Sequence, residues 1–425
     1  MPQYTSSVPS PGTRRPLPPA PRRRTGRHGG LLRTVLFWCH LSVGATAGIV
    51  ILVMSATGVA LAYQKQLLAW SAGSHVVTPP STNAARLPLD TLLARVRAAK
   101  PGGKVTSLTV NSDATRPVLV GLQNRSTLYV DPYTGRVQGS DAKARAVFTG
   151  IERWHRSLAL GTGMRSPVGS ALTGAGNLLF LFLLASGLVL WFPRKWSAQA
   201  FRAVLVPRLR AGGRVRDWNW HHVAGFWLAP FLALVVGSAV FMSYGWPQQA
   251  VNRLAGGGAQ REGRGPGEGA PRGEGGEPRP GSAPGGQGSG WEVAVANLDG
   301  LWASAARQSP GWKTIQARLP QRPGGPVSFT VSRSSAIRPD LRTTLELDPT
   351  SGRTVKVQRY ADQNAGQRVR GWTRFIHTGE VAGVLGQTLA ALASAAGVVL
   401  VWTGFALALR RLRSWRSRRR KPLRA

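Results

Sequence analysis

Four histidines each lie at one end of a long apolar stretch of this 425-residue chain. His40 and His221 precede the first and third stretches, and His155 and His377 lead into the second and fourth. An ionisable side chain near membrane depth is costly and is therefore a functional candidate. Imidazole is a common metal ligand and a usual axial ligand of haem iron. The four positions predict two haems, each held by two histidines, inside a membrane helix bundle.

The first and third histidines are matched by an internal repeat. A glycine stands 4 residues after, and a tyrosine 23 residues after, both His40 and His221. This double match makes His221, rather than its neighbour His222, the equivalent of His40. His222 then is either an alternate ligand or a contact of a haem propionate or a lipid headgroup. The spacing predicts one pair, His40 with His221, near one membrane face, and the pair His155 with His377 near the other.

Other residues near the histidines have two interpretations each. Arg156 either binds a haem propionate, because Arg recognises carboxylates bidentately, or contacts lipid phosphate and sets topology. Glu380 either orients a ligand or relays protons, or is only the acid that begins a helix. The small residues that follow His40 at helical spacing either pack against another helix or seat the edge of a macrocycle. They are Gly44, Gly48, Ser55 and Gly58.

The elements that must position these residues are four apolar blocks, at about 41–63, 168–192, 222–246 and 383–409. Each is long enough to cross a bilayer and contains no Asp, Glu, Lys or Arg. Basic clusters precede the first block, separate the second from the third and follow the fourth. Short basic loops stay cytoplasmic, so both termini are predicted inside and the two long loops outside. The net charge of +38 thus indicates topology and contact with anionic lipid, not nucleic-acid binding.

The two long loops repeat a pattern of their own. LYVDPYTGRVQG (Leu128–Gly139) in the first resembles LELDPTSGRTVKV (Leu345–Val357) in the second. In both, Pro presets a turn and Gly supplies a positive φ between two strands. An amphipathic helix is predicted before the strands of each loop, at Leu89–Ala99 and Val293–Gln308. The sequence therefore predicts one small α+β domain per loop.

The predicted fold is an all-α membrane bundle of four helices with two small periplasmic α+β domains and an internal duplication. In chain order, the predicted segments are a disordered basic N-terminus (1–30), a first membrane helix (31–63), a first outer domain (64–150), an interfacial segment with the second helix (151–193), a basic cytoplasmic loop (194–217), a third helix (218–246), a disordered Gly/Pro/Glu/Arg linker (247–290), a second outer domain (291–370), an interfacial segment with the fourth helix (371–409) and a basic cytoplasmic tail (410–425).

These features resemble the PepSY-associated transmembrane family. The matching stretches run in the family's order through most of residues 31–412: HLSVG, WHRSLALGTG, SGLVLWFPR, WHHVAGFW, DPYTGRV, DPTSGR and FIHTGEVAGVLGQ. The chain departs from the pattern in its long Gly/Pro/Glu/Arg insertion and its two basic tails. The resemblance implies that the two outer domains are PepSY-like.

The family includes iron-regulated inner-membrane proteins and bacterial ferrisiderophore reductases. The resemblance implies two b-type haem groups held by His40, His155, His221 and His377. It also implies an oxidoreductase that reduces a ferric siderophore from Fe(III) to Fe(II) on the periplasmic side of the bacterial inner membrane. No Gly-rich dinucleotide motif follows a predicted strand, so the expected electron donor is a quinol or a separate reductase.

Two other functions remain open at the level of sequence. A non-redox membrane module would use its PepSY domains to bind a peptide, a peptidase or an envelope ligand, and would not need the histidines. A transporter of iron or siderophore is less favoured, because the apolar blocks contain none of the charged residues that usually mark ion paths.

Overall fold

The computed structural model describes residues 27–71, 75–161, 166–193, 197–254, 295, 297–320, 322, 324–334 and 339–419. Most of the predicted disordered N-terminus and of the predicted linker lies outside the described residues. The described part corrects the end of the predicted disordered N-terminus and the beginning of the predicted linker, because both are helical. A helix already begins at Arg27, and another occupies Trp246–Leu254, a glycine-free stretch at the start of the predicted linker.

Twelve α-helices are found in the described residues. In chain order they are α1 (Arg27–Leu61), α2 (Gln64–Ser71), α3 (Leu89–Ala99), α4 (Ala142–Ser157), α5 (Pro167–Trp191), α6 (Ala198–Leu205), α7 (Gly213–Trp227), α8 (Ala229–Ser243), α9 (Trp246–Leu254), α10 (Leu298–Arg307), α11 (Ala365–His377) and α12 (Gly383–Arg419). Within α1, within α5 and from Glu380 into α12, the chain is long and apolar enough to cross a membrane, and α7 and α8 together make a fourth candidate. The protein is therefore a membrane protein with three or four apolar spans in its described part.

The third predicted membrane helix, 218–246, is not one continuous helix. It is broken at Leu228 into α7 and α8, whose axes differ in direction by 68°. Pro230 explains the break, because proline has no backbone N–H and its ring clashes with the carbonyl four residues earlier, that of Phe226. The consequence is that His221, on α7, lies on a segment whose direction is independent of α8.

The strands of both loops join one antiparallel sheet. They are β1 (Val105–Asn111), β2 (Val118–Leu122), β3 (Thr127–Val130), β4 (Val137–Ser140), β5 (Thr314–Arg318), β6 (Val327–Ser332), β7 (Arg342–Leu347) and β8 (Thr354–Arg359). Their order is β4-β3-β2-β1-β5-β6-β7-β8, so the two halves meet where β1 pairs with β5. The expectation of two separate small domains is corrected here, because an unpaired β1 and an unpaired β5 would each leave backbone groups exposed at a sheet edge.

A single hydrophobic core lies on one face of this eight-stranded sheet. It contains side chains from both halves, including Leu108 and Val120 of the first and Ile315 and Phe329 of the second, all almost fully buried. The helices α3 and α10 cover this face, since Leu92 and Leu301 belong to the same core. The two half-sheets are thus held together by packing as well as by the β1–β5 ladder.

The two covering helices meet at their N-termini. The carboxylate of Asp299, in the first turn of α10, accepts hydrogen bonds from the backbone N–H groups of Leu89 (2.6 Å) and Asp90 (3.2 Å) at the start of α3. Burial and a hydrogen bond to Asp299 raise the pKa of the Asp90 carboxyl. The second half therefore supplies the acceptor that the first backbone donors of α3 need.

Candidate functional site

The histidine pair farther from the sheet consists of His40 on α1 and His221 on α7, called here the sheet-distal pair. Their ring centres are 6.4 Å apart and their planes are nearly perpendicular, at 84°. Nδ1 of His40 lies 2.8 Å from the hydroxyl oxygen of Ser186 on α5. Nδ1 of His221 lies 2.9 Å from the hydroxyl oxygen of Thr403 on α12. Four helices therefore meet at this pair.

The hydroxyl partners fix which nitrogen of each distal ring carries the proton. A hydroxyl has one hydrogen, and Ser186 donates it to the carbonyl of Phe182, while Thr403 donates it to that of Val399, both at 2.7 Å. Each hydroxyl therefore accepts from Nδ1–H of its histidine. Nε2 of both rings is left as a lone-pair donor, which is the form that binds a metal.

The pair nearer the sheet consists of His155 on α4 and His377 on α11, called here the sheet-proximal pair. The ring centres are 6.1 Å apart, and the planes meet at 53°. Nδ1 of His155 lies 3.0 Å from the carbonyl oxygen of Met54, and Nδ1 of His377 lies 3.0 Å from that of Val235. A carbonyl only accepts, so Nδ1 carries the proton in both rings and Nε2 again is the lone-pair nitrogen.

Hydroxyl groups also lie beside the proximal rings, and they follow the repeat. Thr57 is 3.0 Å from Nδ1 of His155, and Ser238 is 3.3 Å from Nδ1 of His377. Thr57 follows His40, and Ser238 follows His221, at the same distance along the chain. The repeated segments α1 and α7–α8 thus each supply a ligand candidate to the sheet-distal pair and a hydroxyl to the sheet-proximal pair.

A small residue follows each of the four hydroxyl partners in the chain, in the pairs Thr57–Gly58, Ser186–Gly187, Ser238–Ala239 and Thr403–Gly404. At the three glycines, an added Cβ would lie 3.4–3.6 Å from Cε1 of the nearby histidine. The sequence analysis missed these pairs, although a hydroxyl followed by glycine or alanine in each apolar block was visible. A side chain at any of these three glycines would therefore be in van der Waals contact with the histidine ring beside it.

The stripe of small residues along α1 packs against another helix, which is one of the two purposes that the sequence left open. A Cβ on Gly48 would lie 2.7 Å from the ring of Phe405, so this glycine permits close packing of α1 against α12. A Cβ on Gly58 would lie 3.2 Å from the hydroxyl of Ser394 and 3.6 Å from the ring of His155. The stripe therefore packs helices near its middle and borders a histidine at its end.

Both pairs have the separation expected for two imidazoles on opposite sides of one metal ion. A histidine nitrogen binds a metal at about 2.0–2.1 Å, so two such rings have their centres roughly 6 Å apart. Two histidines do not complete a tetrahedral zinc site. They do suffice for a haem, whose iron takes only its axial ligands from the protein. The residues present therefore fit a haem at each pair.

An apolar layer separates the two pairs. His40 and Met54, which holds His155, are 14 positions apart on α1, which corresponds to about 21 Å along a helix. Buried apolar side chains fill the layer with help from two half-buried aromatic rings. They are Leu184, Leu232, Val236, Ala393 and Ala396, with Phe180 and Phe231. Two cofactors at these sites would be stacked across the bundle with this apolar layer between them.

The structure does not bring His222 into either pair. Its Nδ1 bonds the carbonyl of Trp218 at 2.8 Å, and its ring packs on that of Trp218 at 4.1 Å. The ring centre of His222 also lies 6.2 Å from that of His221, so His222 borders the sheet-distal pair. Glu380 forms an ion pair with Lys65 at the sheet side of the bundle.

A polar cluster that the sequence analysis missed ties the sheet to α4. The carboxylate of Glu152, one turn before His155, accepts hydrogen bonds from Gln64 (2.8 Å) and from Arg125 in the β2–β3 turn (3.2 Å). Burial alone would raise the pKa of Glu152, but the Gln64 bond and the charges of Arg125 and Arg156 outweigh it and lower that pKa. Arg156 thus stabilises a carboxylate beside the proximal pair, which its sequence position alone did not indicate.

Comparison with known families gives one match. The family model described as "PepSY-associated TM region" matches residues 37–411, a range that includes all four paired histidines and every strand of the sheet. No curated protein sequence matches the chain.

Proposed function

Because the chain belongs to the PepSY-associated TM region family, we propose that it is a haem-bearing electron-transfer protein that reduces ferric siderophores from Fe(III) to Fe(II). The observation that carries this proposal is how the four histidines are hydrogen-bonded and how far apart the two rings of each pair lie. Each ring engages a protein partner through Nδ1, and the two rings of each pair are separated as axial ligands of one iron would be. Such partners orient a ligating histidine and raise its basicity.

The proposed cofactor is b-type haem, one group at each pair, whose iron takes up and passes on one electron at a time. His40 and His221 would hold the first group, and His155 and His377 the second. The chain's own contribution is to fix the four rings, to keep the layer between the pairs apolar and to place the proximal pair under the sheet.

The proposed orientation puts the sheet on the periplasmic side of the bacterial inner membrane and both termini in the cytoplasm. The basic clusters at the opposite end of the bundle support it, because short Lys- and Arg-rich segments stay inside. Electrons would enter at the sheet-distal pair from a quinol or a separate reductase and leave at the sheet-proximal pair to the ferric substrate.

The haem part is tested by a pyridine haemochrome assay on protein purified from haem-replete cells. The expected result is two b-type haems per wild-type chain and about one in His40→Ala or His155→Ala, because each substitution removes an axial ligand from one pair. His222→Ala is the matched control and should keep both. Wild-type protein without a Soret band would rule out the proposal.

The reductase part is tested by mixing dithionite-reduced protein, freed of excess dithionite, with ferric citrate. We expect the reduced haem bands to disappear as Fe(II) forms, and His155→Ala to slow this reaction. If alanine at His40 and at His221 leaves the physiological activity unchanged, the alternative function, a non-redox module that binds a peptide, a peptidase or an envelope ligand, is the better account.

A further inference from the structure

The face of the sheet opposite the hydrophobic core bears a row of hydroxyl and amide side chains. The strand register places Thr109 of β1 beside Gln316 of β5, Gln316 beside Thr330 of β6, and Thr330 beside Thr344 of β7. All four side chains are half-buried, and none of them has a hydrogen-bond partner among the described residues. The row crosses the seam between the two halves, so neither half alone could form it.

This polar face is turned toward the helices that carry the sheet-proximal pair. Tyr129, in register with this row through Leu119, lies near Asp141 and Arg145 at the start of α4, and burial and Asp141 raise its pKa. At the other flank, Arg342 pairs with Ser332 and lies 5.9 Å above the ring of Phe375 on α11. Both flanks therefore face the elements that end in His155 and His377.

The internal symmetry leads to the same orientation. The strands β1 and β5 are antiparallel and α3 and α10 cover the same face, so the axis that relates the two halves is perpendicular to the sheet. In the bundle, the same repeat places His40 opposite His221 and His155 opposite His377, so the axis passes between the members of each pair. The sheet consequently lies across the end of the bundle, with its polar face above the proximal pair.

Basic side chains outnumber acidic ones on and beside this face. Arg318 lies on it beside Ser328, and Arg342 lies at its flank near Arg374 of α11. The acid on this face, Glu346, is in register with Lys356. Burial and the charge of Arg374 lower the pKa of Arg342, and the charge of Glu380 offsets them only in part. Guanidinium groups bind carboxylates bidentately, and hydroxyl and amide groups donate to oxygen acceptors. Electrostatic complementarity therefore selects an anion.

We propose that the polar face of the sheet binds an anionic, oxygen-rich ferric chelate, of the kind that offers carboxylate groups, and holds it above His155 and His377. This inference rests on the proposed reductase function for its biological meaning, but the binding itself does not require haem. Thr109, Gln316, Thr330 and Thr344 would donate to the oxygen atoms of the chelate. Arg318 and Arg342 would neutralise its charge.

The test measures binding of gallium(III) citrate to the full chain in detergent by isothermal titration calorimetry. Gallium(III) is not reduced under these conditions, so binding is separated from electron transfer. We expect measurable binding by wild type, an affinity at least about tenfold lower in Arg342→Gln, since a charged hydrogen bond is lost, and a similar loss in the double variant Gln316→Leu/Thr330→Val. Gln316→Glu, which keeps the size of the side chain and adds a negative charge, should also weaken binding.

Matched controls lie at the C-terminal end of α10, on the opposite face of the sheet. Gln308 and Arg307 are exposed there, so Gln308→Leu and Arg307→Gln should bind gallium citrate as wild type does. Unchanged affinity in the polar-face variants would overturn the inference, and so would equal or tighter binding of the cationic gallium complex of desferrioxamine B.

The two proposals fail in different ways. His155→Ala should lose a haem and still bind gallium citrate. Wild type that binds the gallium chelate but contains no haem would contradict the proposed function and leave the binding site standing. If wild type contains two haems and the polar-face variants bind the chelate as tightly as wild type does, only the proposed binding site is contradicted.

Discussion

The four paired histidines differ in the kind of group that holds Nδ1. Of the distal rings, His40 has the hydroxyl of Ser186, whereas His221 has the backbone of Leu400 as well as the hydroxyl of Thr403. The proximal ring of His155 has the carbonyl of Met54 as well as the hydroxyl of Thr57. A backbone carbonyl cannot be removed by substitution, so the two sites should respond differently to loss of a hydroxyl.

We predict that Ser186→Ala weakens the haem affinity of the sheet-distal pair by about 10–100-fold, the usual effect of losing a partner that orients a ligand. Thr57→Val should have a clearly smaller effect, because Met54 continues to hold His155. Haem titration of the cofactor-depleted protein measures both. Thr388→Val is the control, since that hydroxyl bonds Tyr63 instead; equal losses in all three variants would contradict the assignment.

The Glu152 cluster predicts a pH dependence of stability. The pKa of Glu152 is lower in the folded protein than in the unfolded chain, so its contribution is complete above the unfolded value of about 4.3 and is lost as pH falls through the folded value. Wild type should therefore have a higher Tm than Glu152→Gln at pH 7, and the difference should shrink below pH 4. Thermal unfolding followed by circular dichroism measures this. A difference that persists at pH 3 would refute the prediction.

At the scale of single residues, the sequence indicated the ligand candidates but not the groups that hydrogen-bond to their Nδ1 atoms. The spacing around His40 and His221 is a local repeat, so it can be read from the chain. Ser186 lies 146 positions from His40, and Thr403 lies 182 positions from His221. Only the packing of helices brings these groups together, and no short-range pattern encodes it.

At the scale of elements, local signals placed helices and strands well where they did not depend on the rest of the fold. The predicted helix Leu89–Ala99 has the observed bounds of α3. The break at Leu228 was also locally encoded, because Pro230 stands inside the apolar block, but hydropathy alone hid it. The cap of α3 was not locally encoded, because its acceptor, Asp299, belongs to the other half of the chain.

We predict that Asp299→Ala destabilises the sheet and its covering helices by about 0.5–2 kcal/mol, the usual cost of losing an N-terminal cap. The backbone donors of Leu89 and Asp90 would lose their acceptor. Asp299→Asn keeps a side-chain oxygen and should restore most of the stability. Urea unfolding monitored by tryptophan fluorescence, with Trp302 and Trp312 in this region, measures the difference; an alanine variant as stable as the asparagine variant would disprove the capping role.

At the scale of the whole molecule, the repeat in the two long loops was visible but its consequence was not. Two similar α+β patterns favour two similar domains when each is considered alone. The pairing of β1 with β5 joins residues about 200 positions apart. The sequence of neither strand indicates which strand it pairs with. The polar face depends on this junction and was unpredictable for the same reason.

The seam predicts a specific disulfide. Ser107 and Arg318 are register partners across β1 and β5, and partners in an antiparallel pair have Cα atoms about 4.5–5.5 Å apart, within reach of a disulfide. In a chain whose single cysteine, Cys39, is replaced by Ser, the double variant Ser107→Cys/Arg318→Cys should cross-link on oxidation, as seen by mass spectrometry. Ser107→Cys with Ser328→Cys, one strand farther away, should not. Two independent domains would give no cross-link in either case.

The continuous sheet also has an evolutionary consequence. A polypeptide with only the first half would present β1 as an open edge, and a second copy could close it in the isologous way typical of twofold homodimers. In the present chain the second half closes that edge through β5. Because the two halves are parts of one chain, a position in one half can differ from its counterpart in the other without loss of the shared ladder.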